Sequence, residues 1–171
     1  LVAFAVGPWD IVDGPGITAT SQRAGTLPLR GVAPNGKGPR MKIALDSTPV
    51  IIHTLEDYYD FGYPFDKLDQ LAAPDFSAGA MENAGLVTYR DYLLLLDKDS
   101  ATSYKRSSFN VIAHELAHQW TGDTVTMSWW NDLWLNESFA TWMQQKVTMK
   151  VHPEYRADLD RVQGAQGAMS G

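Results

Sequence analysis

Apolar and polar positions alternate over residues 1–12, with Val2, Phe4 and Val6 on one side. That is the period of a half-buried strand. Residues 17–23 and 26–32 are two further short strand candidates, separated by Gly and Pro. Residues 34–39 (Pro-Asn-Gly-Lys-Gly-Pro) form a loop. From residue 40 the period lengthens. Ile43, Ser47, Val50, Ile51, Leu55 and Tyr58 fall at helical spacing and predict a helix over 40–60. Pro49 inside it predicts a kink or break. Residues 67–73 and 86–92 read as strands flanking a loop at 74–83, and Leu93–Leu96 extends the second of them. Ser107 or Ser108 suits the N-cap of a helix over 109–121, with Gly122 as its C-cap. Asn131 or Asp132 caps a second helix over 133–150. Pro153 suits the first turn of a third, over 154–162. Strands come first and helices second, which places the chain in the α+β class.

Composition narrows the partners. The 171 residues carry a formal net charge of −6, and no Lys/Arg run offers a stripe for phosphates. A nucleic-acid partner is therefore not expected. The six Trp, seven Tyr and six Phe supply a sizeable core, and the absence of Cys removes disulfides and thiol chemistry. No apolar run is long enough for a membrane span. The compartment stays open between cytoplasm and a periplasmic or secreted location. The chain opens at Leu1 in mid-pattern, so an upstream segment is expected.

The chemistry concentrates in one helical segment. His114-Glu115-Leu-Ala-His118 is a His-Glu-x-x-His pattern. Spacing of i, i+4 puts both imidazoles on one face, roughly 5–6 Å apart at Cβ. That suits two nitrogens on one zinc ion. Glu115 sits about 100° around the helix, where its carboxylate reaches a metal-activated water without ligating the metal. A third ligand is supplied by Glu137, separated from His118 by eighteen residues and on the next helix. Two His, one Glu and an open position form a thermolysin-type catalytic set for one Zn²⁺. Asn136, beside Glu137, reads equally as an outer partner of a ligand or as a helix-surface amide. His53 and His152 read as a packed or solvated residue and an exposed one, not as ligands.

Three segments then resemble one family. Pro-Asp-Phe-Ser-Ala-Gly79-Ala80-Met81-Glu82-Asn83, the His-Glu-Leu-Ala-His pattern and Trp-Trp-Asn-Asp-Leu-Trp-Leu-Asn-Glu-Ser-Phe-Ala are together similar to zinc aminopeptidases of the membrane-alanyl and puromycin-sensitive type. The resemblance runs from the first residues to about residue 160. It implies a thermolysin-like zincin domain whose strands precede the ligand-bearing helices. Residues 1–33 are then the trailing strands of a preceding β-domain or the start of the catalytic domain, and 34–171 its N-terminal part. It implies that Glu82 binds the free α-amino group of a peptide. The backbone around Gly79 and Ala80, with Met81 and Asn83 in the same segment, would pair with that peptide as an added strand. Without the resemblance Glu82 reads as a loop carboxylate.

Two residues depart from the family pattern. Ala84 stands where many members have Trp, which leaves the first side-chain pocket undefined, and Ser138 stands where Gly is common. The family also uses a downstream Tyr for the oxyanion. Tyr155 follows Glu137 too closely for that role and reads as packing, so the matching residue is expected beyond Gly171. The remaining domains of a longer protein are expected partners. The same architecture opens an epoxide in leukotriene hydrolase. A zinc-stabilised interaction domain would need neither Glu115 nor Glu82. The isolated 171-residue chain is accordingly expected to release N-terminal residues from amino-acid anilides at least about 10²-fold more slowly than its parent, since one oxyanion donor alone is worth that much.

Overall fold

The computed structural model describes residues 2–159. Its centre is a five-stranded sheet in the order β1-β2-β3-β5-β4, with strands β1 (Trp9–Asp13), β2 (Leu29–Pro34), β3 (Leu68–Ala73), β4 (Ala80–Met81) and β5 (Leu86–Arg90). Helix α1 (Lys42–Tyr59) joins β2 to β3, and a crossover of that kind permits parallel pairing. Leu29 of β2 accordingly lies opposite Leu68 of β3, and β3 and β5 are parallel too. The outer pairs, β1 with β2 and β4 with β5, are antiparallel. The α+β class stands, but α1 interrupts the expected order of strands first and helices second.

Burial explains the departures from the sequence pattern. Val2, Phe4 and Val6 are 97%, 85% and 87% exposed and join no strand; β1 begins only at Trp9. The 17–23 candidate reduces to one bridge, Ile17 to Leu27. Helix α1 runs unbroken through Pro49, and its buried face is Ala44, Leu45, Thr48, Ile51, Ile52, Leu55 and Glu56. Val50 and Tyr58 lie outside that face, largely exposed. Two polar residues had disguised the true stripe. Thr48 donates to Ala44 O and accepts from Gln70 Nε2. Glu56 accepts from Arg23, from the Thr20 hydroxyl and from the Tyr63 backbone. Both are buried because their hydrogen bonds are satisfied there.

Leu93–Leu96 does not extend β5. A 3₁₀ turn at Asp91–Leu93 diverts the chain, and all four leucines are buried by closing the core. Helix α2 (Thr102–His118) starts well before the serines expected to cap it, after Ala101. Its first turns are mostly polar and exposed, so no apolar period marked them. It ends at His118, before Gly122. Helix α3 (Leu133–Val151) matches its expected bounds, with Asp132 at the N-cap position but making no side-chain cap bond. The third helix opens as a 3₁₀ turn at Pro153–Tyr155 with helical residues 157–159 after it, and residues 160–162 lie outside the described ones. Tyr155 stacks on His152 and meets Phe109 edge-on. α2 packs on both α1 and α3, so the ligand-bearing helix is clamped on the core by Phe109, Ile112, Ala113, Leu116 and Ala117.

One ion pair crosses the sheet. Arg30 makes two 2.8 Å bonds to Asp69, and Lys67 Nζ lies 2.9 Å from the same carboxylate. Burial raises the Asp69 carboxyl, but Arg30 and Lys67 outweigh it and hold it below its ordinary value. A depressed folded-state pKa contributes stability that is present above the unfolded value, about 4, and lost as pH falls through the folded one. Urea melts from pH 6 down to about pH 2 should therefore show a steeper acid loss in the wild type than in Asp69→Asn.

Candidate metal centre and substrate site

Burying Ala113, Leu116 and Ala117 turns the adjacent positions of α2 toward α3. His118 is 1% exposed and His114 is half-buried. Their Nε2 atoms are 3.2 Å apart. Glu137, in the second turn of α3, brings Oε2 to 3.2 Å from His114 Nε2 and 3.7 Å from His118 Nε2. Tetrahedral zinc with bonds near 2.0–2.1 Å requires ligand atoms about 3.3–3.4 Å apart. The three edges bracket that value, so the donor set fits the ion.

The tautomers suit a ligand. His118 Nδ1 is 3.1 Å from Thr121 O and 3.0 Å from Asn136 Oδ1. A backbone carbonyl only accepts, so Nδ1 carries the hydrogen and Nε2 keeps its lone pair for the cluster. Asn136 is buried, facing His118 rather than solvent. Burial, then His118, lowers the His114 pKa, with Glu137 and Glu82 partly opposing. That direction favours the neutral imidazole a metal ligand requires. Gly122 makes this arrangement possible. Its φ is +129°, and a Cβ there would stand 2.6 Å from Asn136 Oδ1 and 3.3 Å from His118 Nδ1.

A second group of donors shares His118. Carboxylate oxygens of Glu82 and Glu115 and a nitrogen of His118 all lie within 4.8 Å of one another. Glu115 is 7% exposed. Burial, then the charges of Glu82 and Glu137, pushes its pKa up to about 8. Asp123 is raised to about 6, again by burial first and Glu82 second. Beside these groups a cavity of about 650 Å³ is lined by Met81, Glu82, Asp123, Met127, Trp130 and Leu133, among others.

The 79–83 segment is less of a loop than its sequence suggests. Ala80 and Met81 form β4, the outermost strand, opposite Tyr89 and Thr88. Arg90 donates to the carbonyls of Phe76 and Ser77, and its backbone N–H to Gly79 O. Asn83 Nδ2 donates to Thr88 Oγ1. Gly85, at φ +68°, receives Lys67 Nζ on its carbonyl. Gln119 also bonds this segment. Sequence reasoning passed over it, although a Gln directly after a ligand His was the available signal. His53 bonds Thr18, and His152 bonds Glu154, half-buried rather than exposed; neither joins the cluster.

Residues 43–170 match the model of the peptidase family M1 domain. The chain belongs to that family. Among relatives of the M1 chain are aminopeptidase M1-C of Oryza sativa subsp. japonica and endoplasmic reticulum aminopeptidase 2 of Bos taurus. The first is 46% identical over 156 residues, covering 91% of this chain and 17% of that protein. The second is 52% identical over 159 residues, covering 92% and 16%. Probable aminopeptidase 1 of Sulfurisphaera tokodaii is 46% identical over 123 residues, covering 72% and 16%. The chain thus spans about a sixth of the length of these relatives. Zinc is general to the M1 family, and His114, His118 and Glu137 are one of two groups among the described residues that could hold such an ion. Among the described residues no helix is long and apolar enough to cross a membrane.

If Asn136 orients His118, a methyl group at Gly122 should displace it. Gly122→Ala in the full-length protein is expected to weaken zinc binding by about 10–100-fold, as loss of an outer-shell partner does. Competition with a chromophoric chelator measures it; unchanged affinity would show that the contact is dispensable.

Proposed function

We propose that this chain is the zinc-bearing part of an aminopeptidase, which removes the N-terminal residue of peptides that carry a free α-amine. The observation that carries the reading is the position of Glu82: its carboxylate stands within 4.8 Å of both Glu115 and His118. An anchor for the amine that close to the ligands brings the first peptide bond, and no later one, to the reacting centre. On this reading His114, His118 and Glu137 hold one Zn²⁺, and Asn136 steadies His118. A bound zinc ion polarises a carbonyl and acidifies water.

This chain's residues supply the rest. Glu82 pairs with the substrate ammonium through a charge-assisted contact in a partly desolvated site. The outer edge of β4, unpaired among the described residues, accepts the peptide as an added strand along Gly79, Ala80 and Met81, and Asn83 holds the turn that follows. Glu115 takes the proton of the attacking water and delivers it to the leaving amine. A buried carboxyl pushed upward is suited to carrying a proton between two partners. We read residues 34–171 as the N-terminal part of a thermolysin-like domain. Because β1 and β2 share a sheet with β3, residues 1–33 are read as the start of that domain. The remaining domains complete the enzyme.

Glu115→Gln in the full-length protein should lower kcat by about 10²-fold or more while zinc content stays that of the wild type. Normal turnover of an amino-acid anilide by this variant would remove Glu115 from its role. Glu82→Gln is expected to act on the free-amine substrate through KM; equal KM values would sink the amine assignment.

A further inference from the structure

Gln119 is the residue after His118, at the C-cap of α2, and it is fully buried. Its amide is completely used. Nε2 donates to Glu82 O at 2.9 Å and to Asp123 Oδ2 at 3.0 Å. Oε1 accepts from Gly85 N at 3.1 Å and from the Tyr63 hydroxyl at 3.2 Å. The orientation of the amide is fixed by its neighbours. Glu82 O only accepts and Gly85 N–H only donates, so a flipped amide would lose both bonds.

These bonds join two parts of the site that are otherwise held separately. Lys67 and Thr88 fasten the Glu82–Gly85 segment to the sheet. His114 and His118 are fixed by the packing of α2 against α1 and α3. Gln119 belongs to α2 yet grips both ends of the segment, at Glu82 and at Gly85. We propose that Gln119 is a positioning residue for substrate recognition: it sets the distance between Glu82 and the histidine pair, and so the placement of the N-terminal amine. The proposal rests on the reading of Glu82 as the amine anchor.

Its chemistry demands an amide. A hydrocarbon of similar size leaves Gly85 N–H and Glu82 C=O unpaired and buried, which releases the segment from α2. A carboxylate still accepts from Gly85 and Tyr63 but cannot donate to Glu82 O, and it repels Asp123. Leucine and glutamate at this position therefore disturb Glu82 by different routes, and neither removes a metal ligand.

The test uses the zinc-loaded full-length protein and an amino-acid anilide. Gln119→Leu and Gln119→Glu are expected to raise KM about tenfold or more with kcat within about threefold, at unchanged zinc content. In a Glu82→Gln background the same Gln119 substitutions should change KM by less than about twofold, because the anchor they displace is already disabled. Unchanged KM in either folded variant, a loss confined to kcat, or additivity with Glu82→Gln overturns the proposal. If Gln119→Leu does not fold, the isosteric Gln119→Glu decides. If neither folds, Gln119 is a structural residue alone and the proposal falls. A Glu82→Gln enzyme indistinguishable from wild type would instead refute the amine reading on which it rests. An impaired Glu82→Gln beside a normal Gln119→Glu refutes only the role of Gln119.

Discussion

The end of α2 must satisfy two neighbours at once, and the site depends on that constraint. One turn of helix presents His114 and His118 toward Glu137 on α3, while the next residue turns its amide toward the segment after β4. Ala113, Leu116 and Ala117 make this possible by burying the opposite face so closely that the helix cannot rotate. A rotation of α2 that suited one neighbour would pull the other away. Interiors packed at crystal-like density resist such adjustment, so the spacing of His114, His118, Glu115 and Glu82 is inherited from the core.

Part of this was legible in the sequence because it is local. Spacing of i, i+4 on a helix fixes the relation of His114 to His118 before any tertiary contact forms. Glu137 was legible because it sits inside a strongly marked helix at a fixed interval. Glu82 was legible only through the resemblance of its neighbours, since nothing in a lone loop carboxylate announces a partner. The sheet order was not legible. Whether β5 adds beside β3 with β4 outside it depends on pairings between distant residues, and periodicity carries no information on those.

Other misses share a cause: a polar residue that is buried because it is paired. Thr48 and Glu56 fall on the core face of α1, where a hydropathy pattern expects Leu or Ile. Asn136 could be read two ways until His118 was found against it. Gln119 was passed over in the sequence and is wholly inside. Each is stable there because its hydrogen-bonding groups meet partners from other elements. Their visibility therefore requires the fold, and they mark the places where the fold is specified by bonds as well as by packing.

The same logic bears on the charges. Glu82, Glu115 and Glu137 converge on two imidazoles, one of them fully buried. Burial first, then the like charges of Glu82 and Glu137, push the Glu115 carboxyl upward. A fold selected for stability alone would have no reason to assemble them. On the proposed reading, the arrangement becomes favourable when cations enter: a divalent ion between the histidines and Glu137, and an ammonium against Glu82.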